Sequence, residues 1–237
     1  MVISLSLILP CFNEEENIAY VVDQVMRWLE ATGVESEVIV VDDGSTDGTY
    51  RVLQQLRSGY PSLRTVRHDH NCGYGLAVRT GLDAGTKQYL AFMDSDGQFL
   101  PSDFSLLLPH LQSVDFVAGY RKQRADPFMR SFNALVFGWL SKFLLGIRPQ
   151  DINCGMKIFH RRLWPIIRPQ YGFGGVFNAE LYYRLRQHGI SYAQVPVTHA
   201  PRRAGCQTGA SLRVICRAFS ELWKLRFMTP REQKESI

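Results

Sequence analysis

The sequence predicts an α/β fold with a mostly parallel central sheet flanked by helices. Three observations lead to this prediction. Strand-like apolar runs alternate with helix-like segments of ten or more residues in the first hundred residues, as in parallel sheets with right-handed crossovers. Polar residues directly follow three of these runs, where such sheets bind ligands. The chain has 237 residues, of which 46% are hydrophobic, enough to bury one substantial core.

The predicted elements follow from apolar periodicity and turn residues. In the first half, strands are expected at 3–9, 37–41, 63–67 and 89–93, and helices at 14–30, 47–56 and from the turn at Gly73 and Gly75 to about Ala84. In the second half, helices are expected at 103–111, 128–145, 177–187 and 211–227, and strands at 116–119, 157–159 and 192–195. The first strand is expected to end at Pro10. The predicted organisation is one domain over residues 1–205, followed by a basic amphipathic helix and tail over 206–237.

Composition indicates the cellular compartment and the charge of possible partners. The five cysteines are odd in number and include no Cys-x-x-Cys pair, which argues against a disulfide framework and a zinc site and favours a reducing cytoplasm. The apolar stretch from Val2 to Leu9 is too short and too serine-broken for a signal peptide. The net charge is +5, with basic residues concentrated after Arg121 and acidic clusters before Asp103. A basic second half fits an anionic partner, although a merely solvated basic face has the same pattern.

The most informative motif is Asp94-Ser95-Asp96, with Gln98 two residues further on. It directly follows the predicted strand 89–93. Two carboxylates separated by one residue can direct oxygens at one hard cation, and an amide oxygen adds a neutral ligand. Mg²⁺ or Mn²⁺ bound in this way keeps positions open for phosphate oxygens. An acidic turn without a metal is the alternative interpretation.

A second acidic pair, Asp42 and Asp43, ends the second strand-like run. A carboxylate here can accept hydrogen bonds from the base or ribose of a nucleotide. The alternative is that these residues and Asp47 only cap the next helix. The sequence contains neither a G-x-G-x-x-G fingerprint after the first strand nor a P-loop, so neither kind of phosphate-binding loop is expected. A diphosphate would then have to be neutralised by the metal at the first acidic motif.

Five motifs in order make the chain resemble family 2 glycosyltransferases. They are Pro10-Cys-Phe-Asn-Glu14, Val41-Asp-Asp-Gly-Ser-Thr-Asp47, Asn71-x-Gly73-x-Gly75-x-Ala77, Asp94-x-Asp96-x-Gln98 and Asp151-x-x-x-Gly155. The chain is most similar to the branch of dolichyl-phosphate mannose synthases and polyprenyl-phosphate glycosyltransferases, over most of residues 1–203. The resemblance implies a GT-A fold, a nucleotide-sugar donor, a divalent metal on the diphosphate and inversion at the anomeric carbon. We expect residues 1–100 to form the nucleotide-sugar and metal half, and 101–205 the acceptor half.

The resemblance also implies roles for individual residues. Nucleotide-sugar binding is expected at Pro10, Phe12, Glu14, Val41, Asp43, Asp94, Ser95, Asp96, Gln98, Arg121 and Arg202. Asp94, Asp96 and Gln98 are the expected metal ligands. Asp96, Arg121 and Arg202 are the predicted catalytic residues. Phe12 stands where the family commonly has Tyr, and residues 205–211 lack the lysine often found in mannose synthases, so the sugar and the choice between UDP and GDP stay open.

A phosphate acceptor explains the absence of an obvious catalytic base. The second pKa of a phosphate monoester is about 6, so a lipid monophosphate is largely ionised near neutral pH and can attack without a strong base. A planar guanidinium binds two phosphate oxygens at once. The residues expected to bind the acceptor are Arg130, Asp151 and Lys157, together with the phosphate-binding Arg121 and Arg202.

Two other functions stay open from the sequence. Transfer to a sugar or protein hydroxyl would need a carboxylate base, for which Asp151 and Glu180 are the candidates. A nucleotide-sugar-binding protein without turnover is an alternative from a different class. Nucleic acid is not an expected partner, because few aromatic residues alternate with the basic ones.

Two predicted helices have apolar patterns that are compatible with contact with a membrane surface. Residues 134–147 are apolar nearly all round, but a span needs roughly 20 residues, so this helix is either buried or interfacial with Trp139 and Lys142 near head groups. The last predicted helix carries an apolar stripe of Leu212, Ile215, Phe219, Leu222 and Leu225 beside basic residues. This stripe fits a membrane surface, the helix's own domain or a second subunit. We expect a cytoplasmic protein, peripheral on the cytosolic membrane face, with a polyprenyl or dolichyl phosphate as acceptor and a second copy or a membrane protein as an open further partner.

Overall fold

A seven-stranded sheet forms the centre of the protein. The structure is a computed structural model and describes residues 3–122, 128–172, 174–204 and 220–227, with side chains of residues 128–136 outside the description. The strands are β1 (Ser4–Cys11), β2 (Glu35–Asp42), β3 (Leu63–Arg67), β4 (Tyr89–Phe92), β5 (Phe116–Arg121), β6 (Lys157–His160) and β7 (Ala193–Val197). Their order is β3-β2-β1-β4-β6-β5-β7, and only β6 runs antiparallel to its neighbours. The predicted mostly parallel sheet is confirmed.

Helices cover both faces of this sheet. They are α1 (Ile18–Thr32), α2 (Thr49–Gly59), α3 (Tyr74–Ala84), α4 (Phe104–Leu107), α5 (Phe128–Leu145), α6 (Trp164–Ile167) and α7 (Phe177–Gln187), and residues 220–227 form a further helix, here α8. Side chains of β1 alternate between the two layers, because successive residues of a strand face opposite sides. Leu5, Leu7 and Leu9 pack toward α1, whereas Ile8 packs toward α3. Each face therefore has its own buried apolar core.

The first strand continues through Pro10 to Cys11 instead of ending at the proline. Ile8 and Pro10 direct their backbone toward β4, since the Ile8 carbonyl accepts from the Met93 amide and the Pro10 carbonyl accepts from the Ser95 hydroxyl. The β1–β4 ladder itself ends at Ile8 and Phe92. The missing N–H of Pro10 therefore falls where no ladder hydrogen bond is required.

Other boundaries differ for local reasons. The helix predicted to begin at Glu14 begins at Ile18, because residues 13–17 form a turn in which Asn13 has φ 55° and the Glu14 carbonyl accepts from the Asn17 and Ile18 amides. The helix predicted at 103–111 is a short α4 flanked by 3₁₀ turns, with Pro109 at the start of the second turn. The short helix α6 was not predicted.

The strand order brings three carboxyl ends together. The chain builds β1, β2 and β3 in one direction and then places β4 on the opposite side of β1. In open parallel sheets, ligands bind at such a reversal. The segments after β1, β2 and β4, which carry the predicted site residues, therefore lie side by side.

The C-terminal helix and α5 share the core beneath α7. Leu222 and Leu225 of α8 and Leu145 of α5 belong to the same buried cluster. The remainder of the predicted helix 211–227, and the boundary proposed at residue 205, lie outside the described residues. Among the described residues, no helix combines the length and the apolar character needed to cross a bilayer.

Candidate active site

Asp94 and Asp96 lie just beyond the end of β4. Asp94 keeps some solvent contact, but its Oδ1 is buried and has no hydrogen-bond partner among the described residues. Burial, and next the negative charge of Asp96, raise the pKa of Asp94 to about 6. The nearby Tyr74 hydroxyl is also buried, and its pKa is raised well above the usual value by burial and by the Asp94 carboxylate. Two neighbouring carboxylates, one of them with a buried oxygen that no described group pairs, are a donor set that could hold a cation.

Gly155 forms one wall of this acidic site. A Cβ at position 155 would overlap the carboxylate of Asp94. The glycine of the Asp151-x-x-x-Gly155 motif therefore lies directly against Asp94, where only hydrogen fits. This contact explains the motif in physical terms.

Ser95 and Gln98 hold the surrounding segments in place. The Ser95 hydroxyl donates to the Pro10 carbonyl over 2.6 Å, which ties the end of β4 to that of β1. The amide nitrogen of Gln98 donates to the Ala200 carbonyl over 3.0 Å, and the Ala200 amide donates to the Gln98 carbonyl over 2.8 Å. Gln98 is buried and anchors the segment after β7 beside the acidic pair.

Arg202 bridges the ends of β1 and β4. Its guanidinium donates to Glu14 Oε1 over 2.5 Å and lies 3.6 Å from Asp96 Oδ2. Its Nε donates to the Ala204 carbonyl. Burial raises the pKa of Glu14, even though Asn17 and Arg202 stabilise its charged form. The structure therefore places the predicted catalytic residues Asp96 and Arg202 together, with the positive group directed at the acidic site.

Asp43 organises the turn after β3. Its Oδ1 accepts from the Cys72 amide and lies 2.7 Å from Nδ1 of His68, and its Oδ2 accepts from the Gly73 amide. The neighbouring Asp42 instead accepts from the Ser45 amide and pairs with Arg67. Of these two aspartates, Asp43 is therefore the one that connects β2 with the glycine-rich turn.

The remaining residues predicted to bind the nucleotide sugar lie at the same edge of the sheet. Phe12 is half-buried after β1, which leaves part of its ring accessible for stacking. Pro10 and Val41 are buried, and the Val41 side chain packs beneath Gly81 of α3. Val41 therefore can contact a ligand only through its backbone.

Arg121 and Asp151 form a bidentate pair on the other side of Asp94. Arg121 Nε and NH2 donate to the two carboxylate oxygens of Asp151 over 2.7 and 3.0 Å, and both side chains are largely buried. The positive charge of Arg121 opposes the rise in the pKa of Asp94 without cancelling it. Arg121 therefore interacts electrostatically with the acidic site, although its guanidinium group is paired with Asp151.

Two residues with predicted roles are fully buried. The Lys157 ammonium is fully buried, donates to the Cys154 carbonyl over 2.5 Å, and has its pKa lowered by burial to about 8. This burial argues against the predicted contact between Lys157 and an acceptor. The Glu180 carboxylate accepts from three backbone amides, of residues 170–172, and pairs with Arg184. Glu180 thus holds a turn and is not presented to a substrate.

The outer faces of α5 and α8 each expose a pair of aromatic rings. Trp139 and Phe143 stack with centroids 5.7 Å apart and are 63% and 74% exposed. Trp223 and Phe227 lie 4.3 Å apart and are 61% and 53% exposed. Of the predicted apolar stripe of the last helix, Leu222 and Leu225 are buried against the domain, and the other members lie outside the described residues. The predicted acceptor residue Arg130 is in α5, but its side chain lies outside the described part of the chain.

Sequence reasoning assigned no function to Tyr74 or His68. Tyr74 follows a glycine of a recognised motif, and His68 directly follows β3, but neither has a spacing that predicts a contact with Asp94 or Asp43. The contacts arise because separate strands end at one edge of the sheet. Only the topology brings these residues to the site.

Comparison with known proteins agrees with this arrangement. Residues 6–168 match the family model described as glycosyl transferase family 2. Dodecaprenyl-phosphate galacturonate synthase of Rhizobium johnstonii is 32% identical over 162 residues, which cover 66% of this chain and 48% of that protein. Polyprenol monophosphomannose synthase of Mycolicibacterium smegmatis is 30% identical over 220 residues, covering 87% of this chain and 82% of that protein. The chain thus spans about half the length of the rhizobial relative.

The fold also matches a solved enzyme structure. Glucosyl-3-phosphoglycerate synthase from Mycobacterium tuberculosis, in complex with phosphoglyceric acid, superposes with a TM-score of 0.70 at 25% identity, covering 93% of this chain and 80% of that one. A second crystal structure of that enzyme contains Mn²⁺, UDP and glucosyl-3-phosphoglycerate, and superposes with a TM-score of 0.69 at 22% identity. The structural matches confirm the GT-A-like fold, and the family model and the curated relatives confirm the enzyme class predicted from the motifs. The chain belongs to glycosyl transferase family 2.

Proposed function

We propose that this protein transfers a sugar from a UDP- or GDP-sugar to a polyprenyl or dolichyl phosphate, with inversion at the anomeric carbon and with Mg²⁺ or Mn²⁺ bound at Asp94 and Asp96. The names of the rhizobial and mycobacterial relatives support this acceptor class, since both denote polyprenyl-phosphate sugar synthases. The proposal also depends on the chemistry of this chain's own site.

The observation that carries the choice of acceptor is the state of the two candidate bases. Both oxygens of Asp151 accept from Arg121, and both oxygens of Glu180 are occupied by backbone amides and Arg184. A hydroxyl acceptor would need one of these carboxylates to take its proton. A phosphate monoester is already largely ionised near neutral pH and needs no base. The site therefore favours a phosphate acceptor.

The acidic site fits a hard divalent cation. Asp94 and Asp96 offer carboxylate oxygens, the preferred ligands of Mg²⁺ and Mn²⁺, and Asp94 Oδ1 lacks another partner among the described residues. A bound cation would neutralise charge on the diphosphate leaving group. Gln98 uses its amide nitrogen to hold Ala200, so its part in cation binding would be through the amide oxygen.

The chain's own residues supply the rest of the mechanism. Arg202, which here pairs with Glu14 and approaches Asp96, can bind diphosphate oxygens when the nucleotide sugar lies at the acidic site. An acceptor phosphate oxygen then forms a bond to the anomeric carbon on the face opposite the diphosphate, and the bond from that carbon to the diphosphate breaks. Asp43 and the half-buried Phe12 are placed to bind the nucleoside by hydrogen bonding and stacking.

We also propose a peripheral position on the cytosolic face of a membrane, which the proposed acceptor and the two aromatic pairs support. Amphipathic rings beside basic side chains are typical of segments that lie at the lipid–water interface. The pair on α5 flanks the exposed Lys142, and the pair on α8 flanks the exposed Lys224 and Arg226. We therefore assign these faces to the membrane that holds the acceptor.

The experiment is sugar transfer from a panel of UDP- and GDP-sugars to a short polyprenyl phosphate with Mn²⁺ or Mg²⁺. The native chain is compared with Asp96→Ala, and with Asp115→Asn as a control in an exposed ion pair outside the site. Metal-dependent product that is lost only in Asp96→Ala is expected. Metal-dependent nucleotide binding without product from any donor would refute the phosphate acceptor, and activity on a sugar hydroxyl that Asp151→Asn abolishes would favour the alternative.

A further inference from the structure

A second group of metal-ligand side chains lies at the ends of β2 and β3, separate from Asp94 and Asp96. It consists of the Asp43 carboxylate, the His68 imidazole and the Cys72 thiol, whose ligand atoms all lie within 4.8 Å of one another. Asp43 is buried, whereas His68 and Cys72 are half-buried, so an ion has access from the solvent side. The absence of a Cys-x-x-Cys pair had argued against zinc, but it does not exclude a site assembled from different strands.

The donor set determines which cations can bind. One thiolate, one imidazole and one carboxylate are the ligands of Zn²⁺ and related borderline cations, whereas Mg²⁺ prefers oxygen alone. We propose that Asp43, His68 and Cys72 bind a thiophilic divalent cation, represented by Zn²⁺, and that this cation competes with the nucleotide sugar.

The His68 ring is already held in a suitable orientation. Its Nδ1 lies 2.7 Å from Asp43 Oδ1, and its Nε2 lies 3.0 Å from the Thr80 hydroxyl. Metal-binding histidines usually direct the second ring nitrogen to a hydrogen-bond partner, which fixes the tautomer. Nδ1 carries the proton that the Asp43 carboxylate accepts, so cation binding shifts the ring to the tautomer in which Nε2–H donates to the Thr80 hydroxyl and Nδ1 faces the ion.

Only short movements are needed to close the site. Bond lengths of about 2.0–2.3 Å in a tetrahedral arrangement place ligand atoms about 3.2–3.8 Å apart. The His68–Asp43 contact at 2.7 Å would open slightly, and the Cys72 sulfur would approach. The Cys72 thiol donates to the His70 carbonyl over 3.3 Å, a weak hydrogen bond that is lost when the thiol is deprotonated to bind a cation. Amides of Cys72 and Gly73 meanwhile keep the carboxylate in place.

A cation at Asp43, His68 and Cys72 would affect the binding of the nucleotide sugar. This effect rests on the proposed function. Asp43 is the carboxylate proposed to recognise the nucleoside, and a cation on its oxygens takes the lone pairs that a nucleoside would use. Zn²⁺ should therefore weaken nucleotide binding even when Mg²⁺ saturates the acidic pair. This inhibition would be separate from any exchange of metal at Asp94 and Asp96.

The test is titration of the full, reduced chain with Zn²⁺ and with Co²⁺ in excess Mg²⁺ and without nucleotide. Co²⁺ reports a bound thiolate by ligand-to-metal absorption. We expect about one equivalent bound, with thiolate absorption in the native chain and in the control Cys206→Ser but not in Cys72→Ser. Cys72→Ser should weaken Zn²⁺ binding by at least about tenfold, and Thr80→Val by a smaller factor, since loss of an outer-shell partner typically costs about 10–100-fold.

Equal Zn²⁺ affinity in Cys72→Ser, or no thiolate absorption in the native chain, would overturn the site. UDP and GDP binding is measured with and without Zn²⁺, and weakening in the native chain but not in Cys72→Ser is expected. Nucleotide binding that Zn²⁺ leaves unchanged would overturn the competition. A native chain that binds Zn²⁺ through Cys72 but binds no nucleotide would refute the proposed function and leave the metal site intact.

Discussion

Position 155 has room for a hydrogen atom but not for a methyl group, because Asp94 lies directly against it. Gly155→Ala should therefore displace the Asp94 carboxylate while the sheet stays folded. We expect Mn²⁺ affinity to fall about 10- to 100-fold, as when metal-ligand orientation is disturbed, and sugar transfer to fall with it. Calorimetric Mn²⁺ titration measures the effect, with circular dichroism as the test of folding. Gly175→Ala is the matched control, since a Cβ there meets no atom within 4 Å; equal Mn²⁺ affinity in both variants would contradict the prediction.

Arg202 carries a positive charge 3.6 Å from Asp96, so it competes with a bound cation for this carboxylate. In the proposed reaction it also binds the phosphates of the nucleotide sugar. Arg202→Gln should bind Mn²⁺ more tightly than the native chain, because a repulsive charge is removed. Transfer should nevertheless fall by about 10²–10³-fold, the loss expected when one donor to developing negative charge is removed. Metal titration and steady-state kinetics separate the two effects. Arg162→Gln, which breaks an exposed pair with Asp115, should change neither; weaker Mn²⁺ binding in Arg202→Gln would exclude this dual role.

At the scale of elements, Glu37 joins β1, β2 and the segment before β4. Its carboxylate accepts from Ser6, from the amide and hydroxyl of Thr86, and from Arg64. Burial alone would raise the Glu37 pKa, but these hydrogen bonds outweigh it and lower the pKa to about 2. A carboxylate whose pKa is depressed on folding stabilises the fold above its unfolded pKa of about 4.3, and that contribution is lost as the pH falls toward 2.

Glu37→Gln should accordingly reduce the free energy of unfolding by about 2–3 kcal/mol at pH 7, and should flatten its dependence on pH between about 4.5 and 2. Urea unfolding at a series of pH values measures both. Glu35→Gln, in an exposed pair with Lys87, is the control and should have little effect. Parallel pH profiles of Glu37→Gln and the native chain would show that this network does not act as described.

Local sequence predicted most elements because periodicity and turn chemistry are local. The helix 177–187 and the strand 63–67 match their predicted bounds. Some boundaries failed for local reasons, as at Glu14, where a turn precedes the helix. Another failed because a long-range contact decides it, at Pro10, whose carbonyl bonds to Ser95, eighty-five residues away in sequence. The same limit holds at the site. The spacing of Asp94 and Asp96 indicated a cation, but the burial of Lys157 and the pairing of Arg121 with Asp151 depend on how β5 and β6 join the sheet.

At the scale of the whole molecule, the cleft at the carboxyl ends of the strands and the aromatic faces of α5 and α8 belong to one reaction if the acceptor is a membrane lipid. Both helices bury leucines in a common core, so their exposed rings are held by the domain itself. Surface aromatic rings are costly in water unless they contact something apolar. The occupant that we propose for rings flanked by basic residues is an anionic bilayer.

The corresponding variants are Trp139→Ser with Phe143→Ser, and Trp223→Ser with Phe227→Ser. Each pair should reduce binding to vesicles of phosphatidylcholine and phosphatidylglycerol by at least about tenfold, since interfacial affinity scales with buried apolar area. Added salt should also weaken the binding of the native chain to these vesicles, because basic side chains contribute to it. Leu106→Ser, at an exposed apolar residue of α4, is the control. Co-sedimentation measures binding, and light scattering measures mass. If the paired variants sedimented with vesicles like the native chain but dissociated from a dimer, the aromatic faces would be a contact between copies of the chain, and the lipid would have to reach the cleft by another surface.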